Sequence, residues 1–362
     1  MKLASERQEI ILATVRAQGT VRLTELVDKL GVTPVTVRRD VTILADRGLI
    51  VRVHGGIRLP HRGLPEGAAP AARSLFGRIS GGEIGMVVPS VEYYWPPVIR
   101  GAQSAVTAAG GRLVLRASTY DPAEDRRQVT KLLDRGMQCL LVAPSTEGSR
   151  GLDLLRWLGS LTISVVLVER VPPPELPMLA LDAAYTAHSL GAGIAVRHLV
   201  TLGHKRIGLV TSRSSPTSRA LRRGWTEAVS ALKLSEVITG EVPAYGLPGW
   251  ARAYDEVLRQ CREREVHALI VHADREAIGF LERAQELGMD VPGELAVVTY
   301  DDEVAAASDP PLTAVCPQKY RLGTLAAELA LSRLADGAER PVHRVELWPN
   351  LVVRESCGTP AR

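Results

Sequence analysis

A chain of 362 residues, 46% of them hydrophobic, is long enough to bury two or three cores, which excludes a small stapled module and a disordered polymer alike. The formal net charge is only +4, yet residues 1–62 carry eleven Lys or Arg against six Asp or Glu, so the excess of five sits in the head and the rest of the chain balances near −1. That asymmetry points to a basic head that meets a polyanion and excludes an evenly basic, merely adhesive surface.

The first element is a helix that Ser5 can cap with Gln8 three residues on; Leu3, Ile10, Ile11 and Val15 share its inner face, and Gly19 ends it. Thr20 to Leu23 reads as a short extended link. Thr24 starts a second helix with Leu26, Val27 and Leu30 on one face and Gly31 as its stop. After a tight turn Thr33 caps a third helix, Pro34 takes its first position, and Val37, Val41 and Leu44 face inward at i, i+4 and i+7 until Gly48. This leaves Thr36, Arg38, Arg39 and Thr42 for the outer face or its edges, with Pro34 and Val35 at the N-terminal end. Short hydroxyls and methyls beside arginines are what a helix needs to read base edges and hold phosphates in a major groove. LIVRVHGGIRL then alternates into a short hairpin with Gly55 and Gly56 at its tip, bearing Arg52, His54 and Arg58. The assembly is a winged helix-turn-helix, and its partner is double-stranded operator DNA, contacted through Thr33, Val35, Thr36, Arg38, Arg39, Thr42, Arg52, His54 and Arg58. The bland alternative has Arg38 and Arg39 merely solvating the helix and pairing with Asp40, Asp46 or Glu25. The stretch also resembles the head of the DeoR family of bacterial regulators: Thr36 to Asp40 matches its T-hydrophobic-R-R-D and Arg52 to Gly56 its R-x-H-G-G, although that family has a serine where Thr33 stands.

LPHRGLPEGAAPAARS, Leu59 to Ser74, is rich in Pro, Gly and Ala without apolar period and reads as a linker. ARSLFGRISGGEIG, from Ala72, resembles the hinge that precedes the effector core of LacI/GalR regulators, in which Leu75 would be the residue that wedges into a minor groove. Pro70, and the absence of such a hinge from DeoR proteins, argue the other way.

From Glu83 onward strands and helices alternate: EIGMVVP, a helix to Ala109, RLVLRA, a helix through Leu133, CLLVAP, a helix near Leu155, ISVVLVE. The alternation restarts at RIGLVTS and continues through HALIVHA and ELAVVTYDD. Near-continuous β-branched runs between helices indicate parallel strands covered on both faces, here in two similar lobes. Ligands of such sheets bind beyond the carboxyl ends of the strands, which places a site in the cleft between lobes.

The body resembles the LacI/GalR effector core, itself similar to periplasmic sugar-binding proteins. HLVTLGHKRIGLV, MDVPGELAVVTYDD, PPLTAV and the terminal VVRESC carry the likeness. The fold class expected is therefore α/β: a small winged helix-turn-helix (residues 1–58), a linker (59–82) and a two-lobed periplasmic-binding-protein-like domain (83–357) with two doubly wound parallel sheets. The resemblance implies a cytoplasmic, homodimeric transcriptional regulator, a repressor in the first instance, whose operator affinity follows a sugar-like effector. Candidate effector residues are Tyr93, Tyr94 and Trp95 in SVEYYWPP, whose rings can stack on a sugar; Glu169 at the end of ISVVLVE; Thr217 and Arg222; Asp274; and Asp301, which matches the family's ligand aspartate. Three departures put the ligand chemistry in doubt. The family's ligand arginine falls on Leu221, between Arg219 and Arg222, and a one-residue shift turns a helical side chain by about 100°. Its asparagine falls on Ala273, leaving His272 and Asp274 as nearby polar groups, and its glutamine falls on Pro317.

No GxSxG, P-loop, HExxH or GxGxxG after a strand occurs, so no enzyme and no cofactor is expected. Cys139, Cys261, Cys316 and Cys357 lack CxxC spacing, which argues against a metal site and against disulfides. His198 and His204, flanking a helix end and a strand start, read as structural. The N-terminus lacks a cleavable leader pattern and no apolar run is of membrane-spanning length, so no membrane partner is expected. The readings that compete are a stand-alone solute-binding protein and a DNA-bound protein that has lost ligand sensing.

Overall fold

The structure, a computed structural model, describes residues 7–8, 10–12, 14–15, 20–46, 50–53, 56–58, 82–213, 215–235, 238–337 and 339–358. Two compact units, Met1–Gly77 and Arg78–Arg362, divide the chain. The linker reading, the Leu75 hinge and His54 fall outside the described residues, as do the side chains of Arg38, Arg52 and Arg58.

In the first unit, helical residues between Arg7 and Val15 precede β1 (Thr20–Arg22), α1 (Leu23–Leu30), α2 (Pro34–Asp46), β2 (Val51–Val53) and β3 (Gly56–Arg58). The inward positions read from periodicity meet in one core: Ile11, Val15, Leu26, Leu30, Val37, Val41 and Leu44 are buried together with Val21, Ile50 and Ile57. The segment expected as a link is a strand, because Val21 can bury beside Ile57, its antiparallel partner. The sheet order is β1-β3-β2. Gly56, expected at the hairpin tip, is already paired with Val53.

The second unit holds two six-stranded sheets. The first, in order β14-β8-β7-β6-β4-β5, is built from β4 (Glu83–Val88), β5 (Arg112–Ala117), β6 (Cys139–Val142), β7 (Ser164–Val168), β8 (Asp182–Thr186) and β14 (Arg344–Leu347), all parallel. The second, in order β10-β9-β11-β12-β13-β15, combines β9 (Ile207–Ser212), β10 (Thr239–Val242), β11 (Ala268–His272), β12 (Ala296–Tyr300), β13 (Thr313–Cys316) and the antiparallel β15 (Asn350–Val352). Burial on both faces explains their composition: every residue of β6, β9, β11 and β12 is buried, leaving no polar-out alternation. Each sheet has its own apolar core.

The chain crosses between lobes three times, after β8 into α6 (His188–Thr201), after β13 into α10 (Lys319–Asp336), and between β14 and β15. α10 returns to pack on α3 (Trp95–Ala108) of the first lobe. All three crossings lie beside the carboxyl ends of strands, which is where the sequence places its candidate ligand groups.

Candidate functional site

The second helix of the head motif, α2, presents a defined outer stripe. Its capping threonine, Thr33, accepts the Thr36 amide at 3.4 Å and shares a 2.9 Å hydroxyl contact with Thr36, which fixes the helix start. One turn apart, Val35, Arg39 and Thr42 are exposed, and Val35 is 72% exposed although its neighbour Val37 is fully buried. An isolated valine offered to solvent between hydroxyls and a guanidinium suits contact with a thymine methyl. Asp40, the partner that a purely solvating role for the arginines would use, is buried and pairs instead with Arg7 at 2.8 Å. Among the described residues Arg39 has no carboxylate within ion-pair reach.

In the second unit the candidate ligand residues sit at strand ends, several on unusual backbone. Tyr93, Glu169 and Asp301 have φ of +54°, +58° and +97°, left-handed values that cost a non-glycine residue roughly 1 kcal/mol or more. Tyr93 and Tyr94 follow β4, Glu169 follows β7, and Asp301 follows β12 in the opposite lobe. The Tyr93 hydroxyl accepts the Asp274 amide across the cleft at 3.2 Å, and the Lys319 ammonium lies 5.5 Å from the Tyr94 ring centre. The lobes therefore meet through the two tyrosines.

Glu169 is the hub on the first lobe. Its carboxylate accepts the Tyr94 hydroxyl, the Thr186 amide at 2.7 Å and the Thr186 hydroxyl at 2.7 Å, and lies 3.3 Å from Nε2 of His188. Burial alone would raise its pKa, but the neighbouring His188 ring and these hydrogen bonds outweigh it and hold the carboxyl at about 2. His188 continues the chain to the second lobe through a 3.0 Å contact of Nδ1 with the Tyr300 hydroxyl. Asp301 is the opposite case. Buried, opposed by Lys319 but reinforced by Asp274, Glu303 and Glu169, its carboxyl is pushed up to about 8.

A cavity of about 540 Å³ opens between the lobes, floored by Glu169, Thr186 and His188. Thr146 and Arg170 line one side; Thr217, Arg219 and Arg223 line the other. Of the eight candidate effector residues it takes in Glu169 and Thr217; Tyr93, Tyr94, Asp274 and Asp301 do not line it. Two expectations are corrected. Arg222 points away and pairs with Glu241 at 2.8 Å, because the 100° turn per residue hands the cleft-facing positions to Arg219 and Arg223. Trp95 does not face the cleft mouth; it is buried at the start of α3, edge-on to Tyr94, with its indole N–H on the Tyr120 hydroxyl at 3.4 Å. Asp274 is fully buried and engaged, accepting Thr299 at 3.0 Å and the Glu303 and Val304 amides at 2.6 and 3.0 Å, so its carboxylate builds the turn rather than offering a free acceptor. Sequence reasoning missed Lys319, which donates to the Asp301 carbonyl and pairs with Glu303. Only its place beside the displaced glutamine position hinted at it. His198, read as structural, contacts the Cys357 sulfur at 3.3 Å. Among the described residues no cluster suited to a metal ion occurs, and no helix is long and apolar enough to cross a membrane.

Asp301 gives a pH test. The unfolded chain releases this proton near 3.8, the folded chain only at about 8, so between these values the native state binds more protons and stability falls as pH rises. Asp301→Asn is expected to flatten that slope and to be more stable than the parent at pH 8 in urea unfolding; an unchanged slope would contradict the burial argument.

Residues 7–62 match the DeoR-like helix-turn-helix domain and residues 196–357 the periplasmic binding protein-like domain. The HTH-type transcriptional regulator reg1 of Streptomyces lividans is 30% identical over 294 residues, spanning 78% of this chain and 82% of that protein. The chain belongs to the LacI/GalR family of transcriptional regulators. Another member, the regulator GalR of Escherichia coli, is 28% identical over 285 residues, 77% of this chain and 79% of that one. The fold is shared with a LacI family regulator from Enterococcus faecium with bound ribose (TM-score 0.62, 18% identity, covering 77% of this chain and all of that one). It is also shared with the CelR–cellobiose complex (TM-score 0.65, 20% identity, covering 90% of this chain and 91% of that one). These relatives are transcription regulators, not enzymes. As a LacI/GalR regulator this chain is a DNA-binding protein that joins a DeoR-like winged head to the family's two-lobed core.

Proposed function

We propose that this regulator is a cytoplasmic homodimeric repressor that releases its operator when a neutral sugar or sugar derivative binds between the lobes. The observation that carries the effector half is the cavity between the lobes, lined by Glu169 and Arg170 on the first lobe and by Thr217, Arg219 and Arg223 on the second, beside the bridge made by Tyr93 and Tyr94. Hydroxyls donate to carboxyl oxygens while the apolar face of the ring lies on an aromatic. Lys319 and His188, each on a crossing segment, convert occupancy of the site into a change of lobe angle. Two protomers then read a two-fold operator, each through Thr33, Val35, Thr36, Arg38, Arg39 and Thr42 on α2 and Arg52, His54 and Arg58 on the wing. The domain limits that go with this reading are 1–58 for the head and 83–357 for the sensor. Ribose and cellobiose, bound by two proteins of the same fold, are natural first members of a screening panel.

The test is thermal unfolding of the purified protein against sugars, sugar phosphates and nucleosides. A ligand at a hundredfold excess over its Kd adds about 2.7 kcal/mol to stability. A stabilising sugar whose effect disappears in Asp301→Ala is the expected result. Stabilisation that survives Asp301→Ala, or none across the panel, contradicts the sugar reading.

A further inference from the structure

Among the described residues of the first unit, Val35 is the only large apolar side chain left exposed. Its inward neighbours on α2, Val37, Val41 and Leu44, are 2% exposed or less and belong to the core. The polar side chains beside Val35 are engaged with one another: the Thr33 hydroxyl accepts the Thr36 amide and shares a 2.9 Å contact with the Thr36 hydroxyl. Pro34, also exposed, has no N–H to give. The side chains at the start of α2 therefore offer methyl and methylene groups to whatever lies against them. Arg39 and Thr42, four and seven positions on, continue the same exposed stripe, because residues so spaced share one helix face. A valine left in water forgoes the burial that the inward valines gain, and an apolar partner on the DNA would restore it.

We infer that Val35 is a specificity-determining residue that reads the 5-methyl group of a pyrimidine, so that the head responds to a methylated cytosine as it does to a thymine. The inference rests on α2 being the helix that enters the major groove. The apolar feature that a base edge presents in that groove is the methyl on C5: thymine carries it, 5-methylcytosine carries it on the same atom, and cytosine and uracil lack it. A side chain without polar atoms does not sense whether C4 bears the carbonyl acceptor of thymine or the amino donor of cytosine, so the two methylated bases are equivalent to Val35. A hydrogen-bonding residue at this place would separate them. Arg39, about 6 Å further along the helix and without a carboxylate within ion-pair reach among the described residues, can meet a guanine O6 and N7 within about two base pairs of that methyl. The element recognised is then a 5-methylpyrimidine with a guanine close by.

The experiment measures, by fluorescence anisotropy, binding of the full-length protein to a duplex that the protein itself selects from random sequence. Each thymine is replaced in turn by deoxyuridine, which removes the 5-methyl and nothing else. The expected result is a position where this change weakens binding about threefold to tenfold in the parent and in Val35→Ile, but by less than about twofold in Val35→Ala. At that position 5-methylcytosine paired with guanine binds tighter than unmodified cytosine paired with guanine, by a similar factor, and again only while valine or isoleucine is present. Because Val35 is exposed, neither variant disturbs the core. Deoxyuridine that is neutral at every thymine, a loss equally large in Val35→Ala, or equal binding of the methylated and unmethylated duplexes overturns the inference. Arg39→Ala separates that failure from failure of the helix assignment: if it still weakens binding, α2 remains the reading helix, and if it binds as the parent does, both fall together.

Discussion

Operator affinity falls a hundredfold or more when Arg38 and Arg39 are both changed to alanine. Each base-edge or phosphate contact by an arginine is worth roughly 1–3 kcal/mol, and each phosphate neutralised contributes about one unit to the slope of log affinity against log salt. Arg39 is exposed on α2 without a carboxylate in reach among the described residues, and Asp40 between the two helices is held by Arg7, so the cationic charge stays available to DNA. Fluorescence anisotropy at several salt concentrations separates the two modes. A flatter salt slope marks phosphate contacts, an unchanged slope with relaxed base preference marks guanine contacts, and unchanged affinity sinks the assignment of α2 as the reading helix.

The second large effect is on stability. α10 and α3 cross with glycines at the contact: a Cβ on Gly323 would stand 1.8 Å from the Val98 carbonyl oxygen, and one on Gly101 would stand 2.0 Å from that of Tyr320. Both obstacles are backbone, which cannot swing aside as a side chain can. Gly323→Ala is therefore expected to cost about 3 kcal/mol or more, at the top of the range for overpacking, and Gly323→Val to leave no folded protein. Gly240 on β10 is the control, since nothing lies within 4 Å of its Cβ position and Gly240→Ala should shift stability by no more than about 0.5 kcal/mol. Urea unfolding compares the two; equal midpoints would mean that the helices do not cross here. Because α10 begins at Lys319, the same crossing fixes the ammonium against Glu303 and Tyr94.

How far the sequence carried this picture follows from where its signals are strong. The buried parallel strands were legible because burial on both faces leaves unbroken apolar runs, as in ALIVH and AVVTY. The head was legible because α1 and α2 are short and periodic and Thr33 caps α2. The edge strands β10 and β14 were not: TGEV and RVEL are half exposed, and β14 joins the first lobe from the far end of the chain, a non-local pairing that no local pattern announces. At the site, Glu169 and Asp301 could be placed because each ends a conspicuous strand. Arg222 and Trp95 could not, since a helix rotates by 100° per residue and an aromatic next to a cleft can equally anchor the core beneath it. Lys319 was invisible for a different reason: its role depends on a chain crossing that brings it to Glu303 and Asp301 in the other lobe.

The central claim is that occupancy of the interlobe site and occupancy of DNA are one coupled equilibrium. The direct measurement uses an operator duplex selected from random sequence by the protein itself, and determines duplex affinity with and without a saturating cleft sugar, then sugar affinity with and without saturating duplex. The account predicts that both affinities fall, and by the same factor, since coupling between two binding sites is reciprocal. A sugar that binds the cleft and leaves duplex affinity unchanged would contradict it.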